Sequence, residues 1–232
     1  MNTPQIFAHR GAHEHEVEMS LAAYQQAVDE GADGFECDVR LTRDGVLVLW
    51  HDVDLKRIVG SSELISESTL FELRQRVPIL TAEQLLFFAL ANKKDIAFET
   101  KHPVPSRGRV ERRLLTLLKN YAEEIRASGI TITIMSFSWW SVLSLCSVLR
   151  SPFQVVQLVW NQIGIKMAVT PIIALEINQI RTNVNLVRTL KSRGKKVYVW
   201  TVNNVEDARI AQSAEVDVII TDFPEKIRKA LM

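Results

Sequence analysis

The sequence predicts an α/β protein, a single (β/α)8 barrel with its chemistry at the C-terminal ends of the strands. Three observations predict it. Short β-branched runs alternate with longer amphipathic ones along the chain, the pattern of a parallel sheet wrapped by helices. All 5 histidines follow strand-like runs in the first half of the sequence, where a barrel would gather them on one rim. No Ser/Gly/Pro-rich stretch or charge block offers a linker, so residues 1–232 read as one domain. A complete barrel usually takes about 250 residues, which makes a chain of 232 a lean one.

The strand candidates, in order, are 6–8, 34–39, 96–100, 130–135, 154–159, 172–177, 196–201 and 217–221. Between them lie amphipathic segments at 21–29, 82–91, 109–126, 139–149, 186–193 and 205–214. Pro224 suits the first turn of a closing helix at 225–231. The stretch 161–170 fits least well and holds little more than a short helix. A strand followed by a helix, repeated about eight times, is a TIM barrel. A doubly wound open sheet is the runner-up, but its G-x-G-x-x-G fingerprint is missing after the first strand.

With 28 basic residues against 27 acidic ones, the chain lacks the charge of a nucleic-acid-binding surface. The basic cluster of Arg107, Arg109, Arg112 and Arg113 reads as the solvated start of a helix. There is no basic–apolar leader, and no apolar run approaches the roughly 18 residues of a membrane span. Cys37 and Cys146 have no metal-ligand spacing and read as reduced core residues. The expectation is a cytoplasmic protein acting on a small molecule. The sequence carries no signature of oligomeric state.

Barrel geometry places His9, His13 and His15 after the first strand, His51 after the second region and His102 after the third. Within Gly34–Phe35–Glu36–Cys37–Asp38–Val39, the two-residue period of a strand puts Glu36 and Asp38 on one face. Phe35, Cys37 and Val39 then face the helices. Glu99 and Lys101 repeat the spacing at the next strand end. Adjacent strands lie about 4.8 Å apart, so Glu36, Asp38 and Glu99 can converge. Buried carboxylates need compensation. One candidate is a hard cation, Mg²⁺ or Ca²⁺, because the ligands are oxygens with no thiolate. The other is a salt-bridge network with Arg40 or Lys101, and spacing alone weighs the two equally.

Several stretches together resemble the glycerophosphodiester phosphodiesterases. His9–Arg10–Gly11, Glu36–Cys37–Asp38–Val39, Thr42–Arg43–Asp44–Gly45 and His51–Asp52 look like that family's N-terminal signature. Phe98–Glu99–Thr100–Lys101 resembles its Glu-x-Lys strand end. Val199–Trp200–Thr201–Val202–Asn203 and Ile220–Thr221–Asp222–Phe223–Pro224 resemble its closing signatures. The likeness runs from residue 6 to about residue 227, and this set in this order is highly specific.

The resemblance implies metal-dependent hydrolysis of a small glycerophosphodiester to glycerol 3-phosphate and an alcohol. Glu36, Asp38 and Glu99 would hold Mg²⁺ or Ca²⁺, and His9 and His51 would serve as general acid and base. Arg10 and Lys101 would pair with phosphate oxygens, and Trp200 would wall the glycerol carbons. A glycerol hydroxyl would attack phosphorus, giving a cyclic phosphate that water then opens.

Two departures stand out. The family's Glu-Asn-Thr reads here as Glu18–Met19–Ser20, so Met19 offers no polar group where the Asn would be. The segment 53–81 is short where family members often carry an inserted subdomain, and 60–76 has room for one small helix at 70–76. Other readings compete. A sphingomyelinase D-like lipid phosphodiesterase shares the core, but those proteins resemble secreted, disulfide-bearing ones. A non-catalytic barrel that binds a phosphorylated ligand would not need an acid–base pair. A Zn²⁺ or Mn²⁺ site on His13–Glu14–His15–Glu16 has no other support, and a solvated loop explains those residues.

Overall fold

The computed structural model describes residues 3–102, 108–149 and 152–232. Arg107 of the basic cluster lies outside them. Eight parallel strands form the barrel: β1 (Gln5–His9), β2 (Gly34–Leu41), β3 (Asp95–Thr100), β4 (Ile132–Ser136), β5 (Phe153–Val159), β6 (Ile172–Glu176), β7 (Lys196–Trp200) and β8 (Val218–Thr221). Each pairs with its sequence neighbour, and β1 pairs with both β2 and β8, which closes the ring. The fold is therefore the expected TIM barrel and not the open sheet.

Strand periodicity separates two cores. Phe7, Ala97, Met135, Val156, Leu158, Ala174, Tyr198 and Ile220 pack together within the barrel. Phe35, Cys37 and Val39 pack outward with Tyr24, Ala27, Leu85 and Leu86 of the surrounding helices, as the alternation predicts. Gly34 opens β2 where a Cβ would stand 2.7 Å from the Phe7 ring, so a side chain there would displace the inner layer. Cys37 is a free thiol buried in the outer core, and Cys146 packs half-buried against the same cluster.

The helices begin where local chemistry caps them. The Ser20 side chain accepts from the Ala23 N–H, and Thr81 forms a capping box with Gln84. Asn204 accepts from the Asp207 N–H at the start of Val205–Ser213, and Pro224 opens Pro224–Leu231. The short helix expected within 161–170 is Gln162–Met167.

Three details depart from the expectations. The helix predicted over 109–126 is two, Arg109–Asn120 and Ala122–Ser128, broken at Tyr121, whose φ of −112° and ψ of 22° leave the helical region. The β-branched end of 172–177 turns at once into the helix Ile177–Thr182. After β2, the strand Leu47–Leu49 folds back antiparallel on it, and a small ladder of Asp54–Leu55 with Ser61–Leu64 follows. Helices Lys56–Val59 and Leu70–Arg74 flank that ladder. Val48, Trp50, Leu55, Ile65, Leu73, Val77 and Ile79 give this region a core of its own, and the α-helix within 60–76 is Leu70–Arg74, against the 70–76 expected.

Candidate active site

The C-terminal rim carries a cavity of about 210 Å³. Its walls include His9, Arg10, Glu36, His51, Glu99, Lys101 and Trp200, with Met135, Phe137, Leu158 and Ile220 as the apolar part. Seven side chains singled out in the sequence thus meet in one place. Asp38 lies beneath them, fully buried.

Glu36, Asp38 and Glu99 each offer an oxygen within 4.8 Å of the others. β2 and β3 pair with Asp38 opposite Glu99, which sets the convergence by register. Among the described residues no other set of three His, Cys, Asp or Glu side chains converges this way. Glu14, His15 and Glu16 are exposed, so the alternative site on that loop has no geometry behind it.

The charge balance of the cluster is unequal. Asp38 lies 2.9 Å from Arg10 Nε and 2.9 Å from Lys101 Nζ, and Lys101 also reaches Glu99 at 2.8 Å. Burial pushes the Asp38 carboxyl up, but Lys101 and Arg10 outweigh it and hold the group below its ordinary value. Glu36 has no such pair of cations, and burial, with Asp38 and Glu99 nearby, pushes it well up. Burial and Asp38 likewise raise Glu99 to about 7. Two cations therefore serve three carboxylates. Both Asp38 oxygens are buried without a hydrogen bond. An all-oxygen, anionic set left short of positive charge fits a hard divalent cation. Part of the salt-bridge network is also real, through Lys101. Arg40 instead gives its guanidinium to the His51 carbonyl, at 3.0 and 2.7 Å.

The two histidines are held alike. His9 Nδ1 lies 2.6 Å from Asp222 Oδ1, and His51 Nδ1 lies 2.8 Å from Asp52 Oδ1. His9 Nε2 faces the cluster, 3.9 Å from Glu36. Burial lowers the His51 pKa, with Lys101 and Arg10 adding to the effect against the pull of Asp38, which favours the neutral ring. Arg57 bridges Asp52 at 2.6 Å and Glu18 at 2.6 Å, which ties the loop after β1 to the segment after His51.

The loop after β1 takes an unusual path. Arg10 and Met19 are both left-handed, at φ 58° and 56°, and the Met19 N–H donates to the Arg10 carbonyl at 2.7 Å. Asn tolerates that conformation far better than Met. The Met19 side chain is buried, so the position serves backbone shape and packing and brings no polar group to the cavity. Gly11, at φ 83°, packs so closely on the next helix that an added Cβ would stand 2.8 Å from the Ala23 backbone.

Trp200 walls the cavity, with Phe137 at 5.6 Å and Trp160 a further 4.9 Å outward. Those outer rings and His51, Glu99 and Lys101 open into a vestibule of about 700 Å³, also lined by Lys56 and Arg57. His13 lies 3.7 Å from Asp222, and His102 turns to Glu111 at 2.6 Å and Ser141 at 3.1 Å. Asp222, Asn203 and Glu18 had no role in the sequence reading, although the first two stand inside its closing signatures.

A barrel whose mouth sets two histidines and two cations around buried carboxylates is built as a hydrolase of anionic esters. Comparison with known proteins narrows that class. The chain belongs to the glycerophosphoryl diester phosphodiesterase family, whose family model matches residues 9–226. It is 32% identical to a Mycobacterium tuberculosis protein named "Probable glycerophosphodiester phosphodiesterase 1", over 97% of this chain and 91% of that one. It is 30% identical to a glycerophosphodiester phosphodiesterase of Caldanaerobacter subterraneus, over 96% of this chain and 95% of that one. The same fold appears in an Oleispira antarctica phosphodiesterase solved in complex with the product sn-glycerol-3-phosphate. That structure has a TM-score of 0.87 at 22% identity, covering 99% of this chain and 97% of that one. Among the described residues no helix is long and apolar enough to cross a membrane.

Proposed function

We propose that this chain hydrolyses glycerophosphodiesters to glycerol 3-phosphate and a free alcohol, with a divalent cation held by Glu36, Asp38 and Glu99. The observation that carries this reading is the convergence of those three carboxylates beneath a cavity walled by His9, His51, Arg10 and Lys101. When bound by these carboxylates, Mg²⁺ or Ca²⁺ would supply Lewis-acid charge and lower the pKa of a substrate hydroxyl.

The remaining steps belong to the protein. Lys101 donates to Glu99 and stands 2.9 Å from Asp38 as an ion pair, which leaves it a proton for a phosphate oxygen. Arg10 meets Asp38 through Nε and Glu18 through Nη1, which leaves Nη2 for another. One histidine takes the proton of a glycerol hydroxyl as that oxygen bonds to phosphorus. The phosphorus–oxygen bond to the other alcohol breaks, and the second histidine returns a proton to the departing oxygen. The resulting cyclic phosphate is opened by water with the proton roles reversed. Trp200 covers the apolar edge of the glycerol.

The test is release of glycerol 3-phosphate from a panel of glycerophosphodiesters in Mg²⁺, in Ca²⁺ and in EDTA. Turnover in either metal and none in EDTA is expected. Activity that survives thorough chelation would remove the metal from the mechanism. No product from any member of the panel would leave a phosphate-binding barrel as the better reading.

A further inference from the structure

The two closing signatures bring Trp200 and Ile220 to the cavity wall, while their Asn203 and Asp222 stand behind it. Asp222 sits one residue beyond β8, and Asn203 three beyond β7. The two interlock. The Asn203 amide donates to Asp222 Oδ2 at 2.5 Å, while the Asp222 N–H donates back to Asn203 Oδ1 at 3.0 Å. Thr221 donates to the same Asn203 oxygen at 3.2 Å. One oxygen of Asp222 is thereby fixed by protein, and the other, Oδ1, meets His9 Nδ1 at 2.6 Å.

We propose that Asp222, clamped by Asn203, is a positioning residue that holds His9 as the tautomer with its proton on Nδ1 and its Nε2 lone pair aimed into the cavity. This rests on the acid–base reading of His9 given above. The physical reason is the acceptor-only character of a carboxylate. Asp222 Oδ1 can meet Nδ1 only if that nitrogen carries a proton, so the neutral ring must leave Nε2 bare. Nε2 is the nitrogen that points to Glu36 and the cavity. Asn203 matters because a free carboxylate could rotate away. With Oδ2 and the Asp222 N–H both engaged, the carboxylate has one orientation. His13, whose Nε2 lies 3.7 Å from Asp222 Oδ1, is too distant for a hydrogen bond and competes weakly.

An amide at position 222 tests this without changing size. Asn presents either an acceptor or a donor to Nδ1, so Asp222→Asn permits the wrong tautomer. We expect kcat to fall about 10- to 100-fold, the usual cost of losing a partner that orients an active-site ligand. KM should stay within about threefold, because Arg10 and Lys101 hold the phosphate. Nitrogen NMR of the imidazoles should show His9 protonated on Nδ1 in the wild type and a mixture of tautomers in Asp222→Asn. Asn203→Ala should move both readouts in the same direction, and it takes the place of Asp222→Asn if that variant fails to fold. In a His9→Ala background, Asp222→Asn should cost nothing more.

A folded Asp222→Asn with wild-type kcat overturns the proposal. So does a loss of kcat with the His9 tautomer unchanged, or an equal further loss in the His9→Ala background, since either marks a purely structural carboxylate. If His9→Ala itself keeps full turnover, the acid–base reading falls and this inference with it. If His9→Ala is inactive beside a fully active Asp222→Asn, only the positioning role is lost.

Discussion

Arg10 Nε lies 2.9 Å from Asp38 Oδ2, and Arg10 reaches it from a backbone in the left-handed region, at φ 58°. A right-handed or extended residue at that point would send the side chain elsewhere. The conformation costs about 1–2 kcal/mol in a residue with a Cβ, and it is held by the Arg10 carbonyl accepting the Met19 N–H. What it provides is a cation against a carboxylate that is otherwise sealed from water.

The charge left over in the carboxylate cluster predicts metal binding. Removing one carboxylate should weaken cation binding even though Arg10 and Lys101 remain. Calorimetric titration of Glu36→Gln with Mg²⁺ should give a Kd raised at least about tenfold, or about 1.4 kcal/mol. An unchanged Kd would place the cation elsewhere.

His9 and His51 flank the cluster from β1 and from the loop beyond Leu47–Leu49. Acid–base catalysis contributes about 10²–10⁴-fold, so His9→Ala and His51→Ala should each lower kcat by that much with KM little altered. His13→Ala and His15→Ala should be close to wild type. Circular dichroism and melting of each variant separate lost chemistry from lost structure. Well-folded His9→Ala and His51→Ala with normal turnover would leave the pair without a role.

The vestibule is wide and lined by mixed charges and two aromatic rings, with few groups placed to grip one alcohol. Choline, ethanolamine and glycerol diesters should therefore differ in kcat/KM by less than about 100-fold, or about 2.7 kcal/mol. A larger preference would show that the rim selects the departing group.

Glu111 gives a pH prediction away from the reacting groups. Burial pushes its carboxyl up, but hydrogen bonds from His102 and Ser141 outweigh that and bring it down to about 2. A carboxylate with a depressed folded pKa stabilises the fold above its unfolded value of about 4.3. That contribution fades as the pH falls towards 2. Glu111→Gln should lower stability at pH 6 by about 1–3 kcal/mol, with the gap to wild type closing in acid. Urea melts across that range measure it, and a gap that persists undiminished in strong acid would assign the effect to packing.

Most of the barrel was legible because each strand carries β-branched residues and most helices carry a cap or an apolar stripe. The misses have local causes. Nothing in the amphipathic pattern of 109–126 marks a break, which arises from the backbone at Tyr121. Ile177 continues a β-branched run, so a helix beginning there looks like more strand. The pieces between Leu47 and Leu64 are too short for any period to show. Within the site, Glu36, Asp38 and Glu99 were readable from the two-residue period. The Asp222 support of His9 was not, because 213 residues separate the partners and no spacing rule spans that distance.

The closure of the barrel carries a consequence for folding. β1 waits for β8, so the earliest strand made is completed by the last. Contacts this distant form late and slowly, because most of the chain must be ordered before they are rewarded. A nascent chain that has not yet released residues 218–221 can hold its first carboxylates and still lack the neighbour that seats His9. Turnover during refolding should then appear together with β1–β8 hydrogen-exchange protection, which would make substrate hydrolysis a kinetic clock for ring closure.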